Sequence, residues 1–162
     1  MFLTFIIVFI IMQITLESPD QPDVIGLIAE LDAYQDSLYP PESRHALDLE
    51  SLKQSNVVFV VARDDAGQAV GCGAVVIYPE YGEVKRLYVH PHSRGAGVAR
   101  KMLALLELTA IARGSKTFTL ETGPSQPDAL QFYASCGYQR RGPYGHYRDD
   151  PLSVFMEKHV ND

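Results

Sequence analysis

The chain has 162 residues, 46% of them hydrophobic and 21% charged, a length that favours one domain and a composition too apolar for a disordered chain. Two cysteines, Cys72 and Cys136, with no CxxC or Cys/His cluster, make neither a disulfide framework nor a metal site; they read as reduced thiols of a cytoplasmic protein. A net charge of -6, from 14 basic and 20 acidic side chains, argues against a nucleic-acid partner, whose binding rests on neutralised phosphates.

Residues 1–12, MFLTFIIVFIIM, are apolar except for Thr4. The run is short of the ~20 residues that span a bilayer. No Lys or Arg precedes Arg44, so the basic start of a signal peptide is missing. Three readings remain: an extended first strand, a membrane-associating tail, or an upstream stretch ahead of a second start at Met12. The last is adopted, with residues 1–12 an N-terminal extension, 13–162 one domain, and no membrane partner expected. A first strand then begins near Gln13. Asp23 is a suitable N-cap for a helix in which Val24, Leu27, Ile28, Leu31 and Tyr34 recur at helical spacing. Tyr39-Pro40-Pro41-Glu42-Ser43 ends it, and a second short helix fits His45–Leu52. VVFVVAR, from Val57, and Val70–Tyr78 are strands joined as a hairpin across Asp64–Gly67. Glu83–Val89 is a third strand of this group, followed by a glycine-rich turn and a helix from about Gly97 to Arg113. Lys116–Glu121 is a strand, Pro127–Cys136 a helix, and Tyr138–Arg141 and Ser153–Lys158 are closing strands. The order β-α-α-β-β-β-α-β-α-β-β is an α/β (α+β) arrangement on a mixed sheet.

The turn Arg94-Gly95-Ala96-Gly97-Val98-Ala99 carries chemistry. Glycines let a backbone approach a ligand closely. The first amides of the next helix have no intrahelical partner and can meet phosphate oxygens, with the helix dipole favouring negative charge. Arg94, Arg100 and Lys101 add positive charge. No Gly-Lys-Ser/Thr follows and GxGxxG is absent, so this is neither a Walker loop nor a dinucleotide fingerprint. An ordinary tight strand–helix turn is the competing reading.

The stretch VKRLYVHPHSRGAGVARKML resembles the acetyl-CoA-binding motif of the GNAT superfamily of N-acetyltransferases, Arg94, Gly97 and Ala99 matching its Arg/Gln-x-x-Gly-x-Gly/Ala pattern. Ala129–Tyr138, ALQFYASCGY, is similar to the second family motif, an alanine, a Phe-Tyr pair and a Gly-aromatic stop. The resemblance covers about residues 13–160. It implies a mixed, mostly antiparallel central sheet flanked by about four helices, and transfer of an acetyl group from acetyl-CoA to a primary amine of a small molecule or peptide end. A non-catalytic acyl-CoA sensor on the same fold is the alternative. The resemblance places the cofactor on Leu87, Tyr88, Val89, Arg94, Gly95, Ala96, Gly97, Val98, Ala99 and Arg100. Gln126 stands where many relatives have Asn. It implies Tyr133 as the acid for the leaving thiolate, in keeping with a phenol that stays protonated at neutral pH. Glu83 is expected as the base, with a solvated strand-end carboxylate as the competing reading. Glu121 is the runner-up base, and His90 and His146 are further titratable candidates. The acceptor side is expected from the first two helices and the last loop, with Tyr39, Tyr144 and His146 binding substrate. No metal is expected, and the family commonly forms homodimers.

The total charge conceals an asymmetry. Residues 1–82 hold 3 basic and 12 acidic side chains, and residues 83–162 hold 11 and 8. An acidic acceptor side would draw a small cationic amine. Arg140, Arg141 and Arg148 are the counter-indication, since they could hold a substrate carboxylate.

Overall fold

A computed structural model describes residues 12–161. The apolar run therefore lies, except for Met12, outside the described residues. A seven-stranded sheet carries the fold. Its strands are β1 (Gln13–Leu16), β2 (Val57–Arg63), β3 (Ala69–Ile77), β4 (Gly82–Val89), β5 (Thr117–Thr122), β6 (Gln139–Arg141) and β7 (Val154–His159), in the order β1-β2-β3-β4-β5-β7-β6. Every neighbouring pair is antiparallel except β4 and β5. Among the described residues, no helix is long and apolar enough to cross a membrane.

Both faces of the central strands are covered. This explains why β2 and β3 read as continuous apolar runs rather than alternating ones. Alternate residues of β2 point to opposite faces. Val58 and Val60 pack with Val98, Met102 and Leu106 of α3 (Val98–Ala112). Phe59 and Val61 pack with Val24, Leu27 and Leu31 of α1 (Pro22–Leu38) and with Leu52 of α2 (Leu49–Leu52). Burying one such aliphatic side chain contributes about 1.5–3 kcal/mol, so the two apolar layers dominate the stability. The fourth helix, α4 (Pro127–Ser135), lays Leu130, Phe132 and Tyr133 against the α3 layer.

Two local expectations are corrected. Gln21, not Asp23, is the N-cap of α1, with Pro22 in the first helical position. The Asp23 carboxylate is occupied elsewhere: it accepts from Arg63 Nη1 at 2.7 Å. Arg63 also grips Glu17, joining β1, the start of α1 and the β2–β3 turn. The second helix is only Leu49–Leu52, capped by Asp48 through Ser51 N–H, rather than His45–Leu52. Residues 44–47 run outside any helix. The His45 carbonyl accepts from Lys85 Nζ at 2.8 Å, and the Leu47 carbonyl accepts from Arg86. Side chains of β4 thus take carbonyls that a helix would need.

β4 is bulged. Cys72 faces Tyr88 and Ala74 faces Lys85, so the register shifts by one residue between them. Arg86 absorbs the shift at φ 58°, a left-handed conformation uncommon for a residue with a Cβ.

Candidate active site

The site begins where the sheet comes apart. β4 pairs with β5 only at Gly82↔Phe118 and Glu83↔Thr119. Beyond Glu83 the two strands part, and β4 borders open space instead of a strand, a small cavity at Val84–Leu87 and a groove at Leu87–Val89. The groove is about 570 Å³ and runs between β4, the start of α3 and α4. Its wall takes in Leu87, Tyr88 and Val89, the turn residues Arg94, Gly95 and Gly97, then Val98, Ala99 and Arg100, and finally Gln126 and Tyr133. Of the expected cofactor residues only Ala96 is off this wall, exposed in the turn.

The turn itself explains its glycines. Gly95 and Gly97 lie at φ 87° and 74°, where a Cβ is strained. Gly97 is the N-cap of α3 and supplies no side chain to cap it, so the amides of the first turn are left to the groove. The two arginines are held by the protein. Arg94 Nε donates to the Val89 carbonyl at 2.9 Å, and its guanidinium lies over the Tyr88 ring. Arg100 reaches across the groove to Ser135 Oγ at 2.7 Å and lies over Phe132. They flank the free amides with positive charge at fixed positions. This donor set, orphan amides at a helix N-terminus between two cations, fits a phosphate-bearing ligand such as the diphosphate of a coenzyme A thioester.

A second cavity, about 120 Å³, is lined by Val84–Leu87 of β4 and by Glu121, Thr122 and Gly123 at the end of β5. It shares Leu31, Leu87, Gln126, Ala129 and Tyr133 with the groove, so the two spaces meet at the ring of Tyr133. That ring is edge-on to Tyr138 at 5.7 Å. Tyr138 is fixed from behind, donating to Glu107 at 2.9 Å, and Glu107 is paired with Lys158 at 2.8 Å. Burial raises the Tyr133 phenol above its ordinary range, which keeps it protonated as a proton donor.

The carboxylates are arranged differently from expectation. Glu121, at the end of β5, lines the small cavity. Burial pushes its pKa up to about 7, against the opposing effects of Ser153 and the Lys85 charge. Glu83 is not a solvated strand-end residue. It is 2% exposed and lines neither cavity. Its Oε2 accepts from Tyr144 Oη at 2.5 Å, and Lys85 Nζ lies 3.9 Å from Oε1. Burial and this carboxylate raise the Tyr144 and Tyr147 phenols, so both stay protonated as donors. Tyr144 therefore belongs to a buried cluster with Tyr147 and Phe155 rather than to the cavity wall. His146 is exposed, stacked on Tyr147, and also lines neither cavity. Tyr39 does line the small cavity. Its hydroxyl lies where a side chain on Gly123 would stand: a Cβ there would fall 1.8 Å from Tyr39 Oη.

Four basic wall residues were not singled out in the sequence reading: Arg44 and His45, within the stretch expected on the acceptor side, and Lys85 and Arg86. Two signals were available. Lys85 and Arg86 sit inside the matched motif, and Arg44 is one of only three basic residues in 1–82. Of the acidic residues in 34–52, Asp36, Asp48 and Glu50 have protein partners. Asp32 and Asp36 hold Arg44, and Asp32 also accepts from Arg86 Nη1 at 2.5 Å. Asp48 caps α2, and Glu50 pairs with Lys53.

Comparison with known proteins agrees with this geometry. The sequence model of the Acetyltransferase (GNAT) family matches residues 26–138. A protein of Azospirillum brasilense named IAA acetyltransferase is 48% identical over 144 residues, 88% of this chain and 94% of that protein. A crystal structure from Klebsiella pneumoniae, described as an acyl-CoA N-acyltransferase, is 39% identical with a TM-score of 0.79, covering 93% of this chain and 98% of that one. The PaiA N-acetyltransferase of Thermoplasma acidophilum, solved in complex with coenzyme A, shares the fold at 17% identity and a TM-score of 0.70, covering 92% of this chain and 99% of that one. With its parted strands, free helix amides and paired cavities, the chain belongs to the GNAT acetyltransferase family and is an acyltransferase.

Proposed function

We propose that this chain transfers an acetyl group from acetyl-CoA to a primary amine, with Tyr133 as the acid and Glu121 as the base. The observation that carries the reading is the meeting of a long groove and a small cavity at a shared wall that includes the half-buried Tyr133. Acetyl-CoA, when bound, supplies a thioester carbon open to a nitrogen lone pair and a sulfur that leaves. The free amides of the α3 first turn, with Arg94 and Arg100 beside them, hold its diphosphate. The freed edge of β4 at Leu87–Val89 holds its arm. Backbone N–H groups on that edge stabilise charge that develops on a carbonyl oxygen, as in an oxyanion hole.

The amine enters through the small cavity. The Glu121 carboxylate takes the proton of the ammonium, giving the neutral nitrogen that attack requires. The Tyr133 Oη proton passes to the leaving sulfur. The proton shed by nitrogen as the amide forms restores Tyr133, and the proton on Glu121 returns to water. Glu83 is a positioning residue here: it fixes Tyr144, and its charge lies close to Lys85 in the cavity wall. The test is release of CoA thiol from acetyl-CoA on adding amines, with IAA included because a 48% identical relative carries that name. Thiol release that needs an acceptor and is lost in Tyr133→Phe supports the reading. Acetyl-CoA binding with no release for any acceptor overturns it.

A further inference from the structure

We infer that Asp150 is a positioning residue for this active site: it fixes the turn of residues 150–153 against Ser43, and so sets where Leu152 and Ser153 stand beside Glu121. This rests on Glu121 being the base and the small cavity the acceptor site.

Asp150-Pro151-Leu152-Ser153 has the residues of a β-turn, Asp in the first position and Pro in the second, where its fixed φ suits the reversal. Ser153 N–H closes the turn on the Asp150 carbonyl at 3.0 Å. The Asp150 side chain makes two more bonds. Its Oδ1 accepts from Leu152 N–H at 2.8 Å, and its Oδ2 accepts from Ser43 Oγ at 2.8 Å. These donors hold the carboxyl below its usual range, so it is ionised at neutral pH. Ser43 ends a short 3₁₀ turn, Pro41–Ser43, 107 positions away in the chain. Ser43 and Leu152 both line the small cavity. One carboxylate therefore ties together two loops that each give a piece of the cavity wall.

The strand register carries the turn to the base. Glu121 stands opposite Phe155 across β5 and β7, and directly opposite residues share a face of the sheet. Ser153, two residues before Phe155, falls on that face as a diagonal neighbour, within reach of a long side chain. Its Oγ is buried and makes no hydrogen bond of ordinary geometry. It is near enough to Glu121 to favour the ionised carboxylate. Other groups face Glu121 as well. From β4, Lys85 favours its charge and Glu83 opposes it, and Asp150 opposes it from the last loop. The Tyr39 and Tyr147 phenols stand within its field, and Arg44, His45 and Tyr133 share its cavity wall. Among these influences, Ser153 outweighs the direct repulsion from Asp150.

Asp150 thus acts on Glu121 in two opposite ways. Its own charge raises the Glu121 pKa, while the turn it organises places the hydroxyl that lowers it. The two are separable. An Asn side-chain oxygen accepts the same hydrogen bonds without the charge and suits the same place in a turn. Ala removes both.

The experiment follows the Glu121 side-chain carboxyl by carbon-13 NMR against pH in the full chain, the signal being identified by its loss in Glu121→Gln. Asp150→Asn should leave the midpoint in place or lower it slightly. Asp150→Ala and Ser153→Ala should both raise it, by up to about one unit, the order of one hydrogen bond to a charged group. The double variant should go no higher than Ser153→Ala, because the two act through one hydroxyl. With the amine that gives the fastest thiol release, acceptor KM should rise about tenfold in Asp150→Ala, as for one lost contact, and recover in Asp150→Asn. Ser43→Ala cuts the tie from the other loop and should raise KM in the same direction. Calorimetric acetyl-CoA affinity should hold throughout, which also shows the variants folded. A midpoint that falls in Asp150→Ala as it does in Asp150→Asn would make Asp150 a charge and nothing more, and would overturn the inference. So would an unchanged KM in Asp150→Ala, or a loss of acetyl-CoA affinity alongside the rise in KM. A rate that keeps its rise with pH in Glu121→Gln would instead overturn Glu121 as the base.

Discussion

The two spaces that meet at Tyr133 are built by different means. The long groove is made largely of backbone: the unpaired edge of β4 and the uncapped amides of α3. The small cavity is made of side chains from four distant stretches, near residues 31–46, 84–87, 121–133 and 152. Backbone recognition serves one ligand for a whole family, because it depends on dihedral angles and strand pairing rather than on particular side chains. Side-chain recognition is rewritten by single substitutions. The groove is therefore where relatives should agree, and the cavity is where they should differ.

Substitutions can separate the two. The largest effect is expected from Gly97→Glu, which puts a strained side chain and a negative charge at the free amides. Acetyl-CoA affinity measured by calorimetry should fall by about 2–4 kcal/mol or more. Retained affinity would break the assignment of the groove. Tyr133→Phe keeps the ring against Tyr138 and removes only the proton. It should lower kcat by about 10²–10⁴ with acetyl-CoA affinity little changed, which locates the chemistry at the junction. Glu121→Gln should lower kcat by about 10²-fold and remove a rise in rate with pH centred near the pKa of about 7. Its stability effect has a definite sign. The folded pKa lies above the unfolded carboxylate value, so the native state binds the proton more tightly and loses stability as pH rises towards and through about 7. Removing the charge should therefore raise the melting temperature at pH 8 more than at pH 5. Gly123→Ala forces Tyr39 out of its place. Acceptor KM should rise by roughly tenfold, the order of one lost contact, and acetyl-CoA affinity should hold; an equal loss of both would blur the division between the two spaces. The smallest effect on turnover is expected from Arg63→Met, which is remote from both. It should cost about 1–3 kcal/mol of stability in urea unfolding. The Arg63 guanidinium holds the Glu17 and Asp23 carboxyls below their usual range. Their contribution is present at neutral pH and lost on acidification through those lowered values, so wild type and variant should converge at low pH.

The same division explains what could be read from the sequence. The glycine turn, the strand before it and the Phe-Tyr helix are contiguous, and their spacing alone carries the groove. The element order was legible too, because the apolar runs and turn residues are local signals. The short helix was misjudged because His45 and Leu47 spend their carbonyls on Lys85 and Arg86, a contact across 39–40 residues. The burial of Glu83 was not legible for a related reason: its partner Tyr144 is 61 residues away. The charge asymmetry is real in composition but uneven in space, since Asp32 and Asp36 pair with Arg44 within the acidic half.

The bulge at Arg86 bears on how this family member can change over time. Before it, Val84 joins the α3 layer; after it, Tyr88 joins the α1 layer and Val89 the α3 layer. Losing one residue here would restore unbroken alternation from Val84, with Tyr88 still opposite Cys72 and still on the α1 side. What would vanish is the bend and added twist that a bulge gives its strand, in the stretch where β4 has left β5. A chain one residue shorter at this point keeps the pattern of its core and changes the course of the strand edge along the groove.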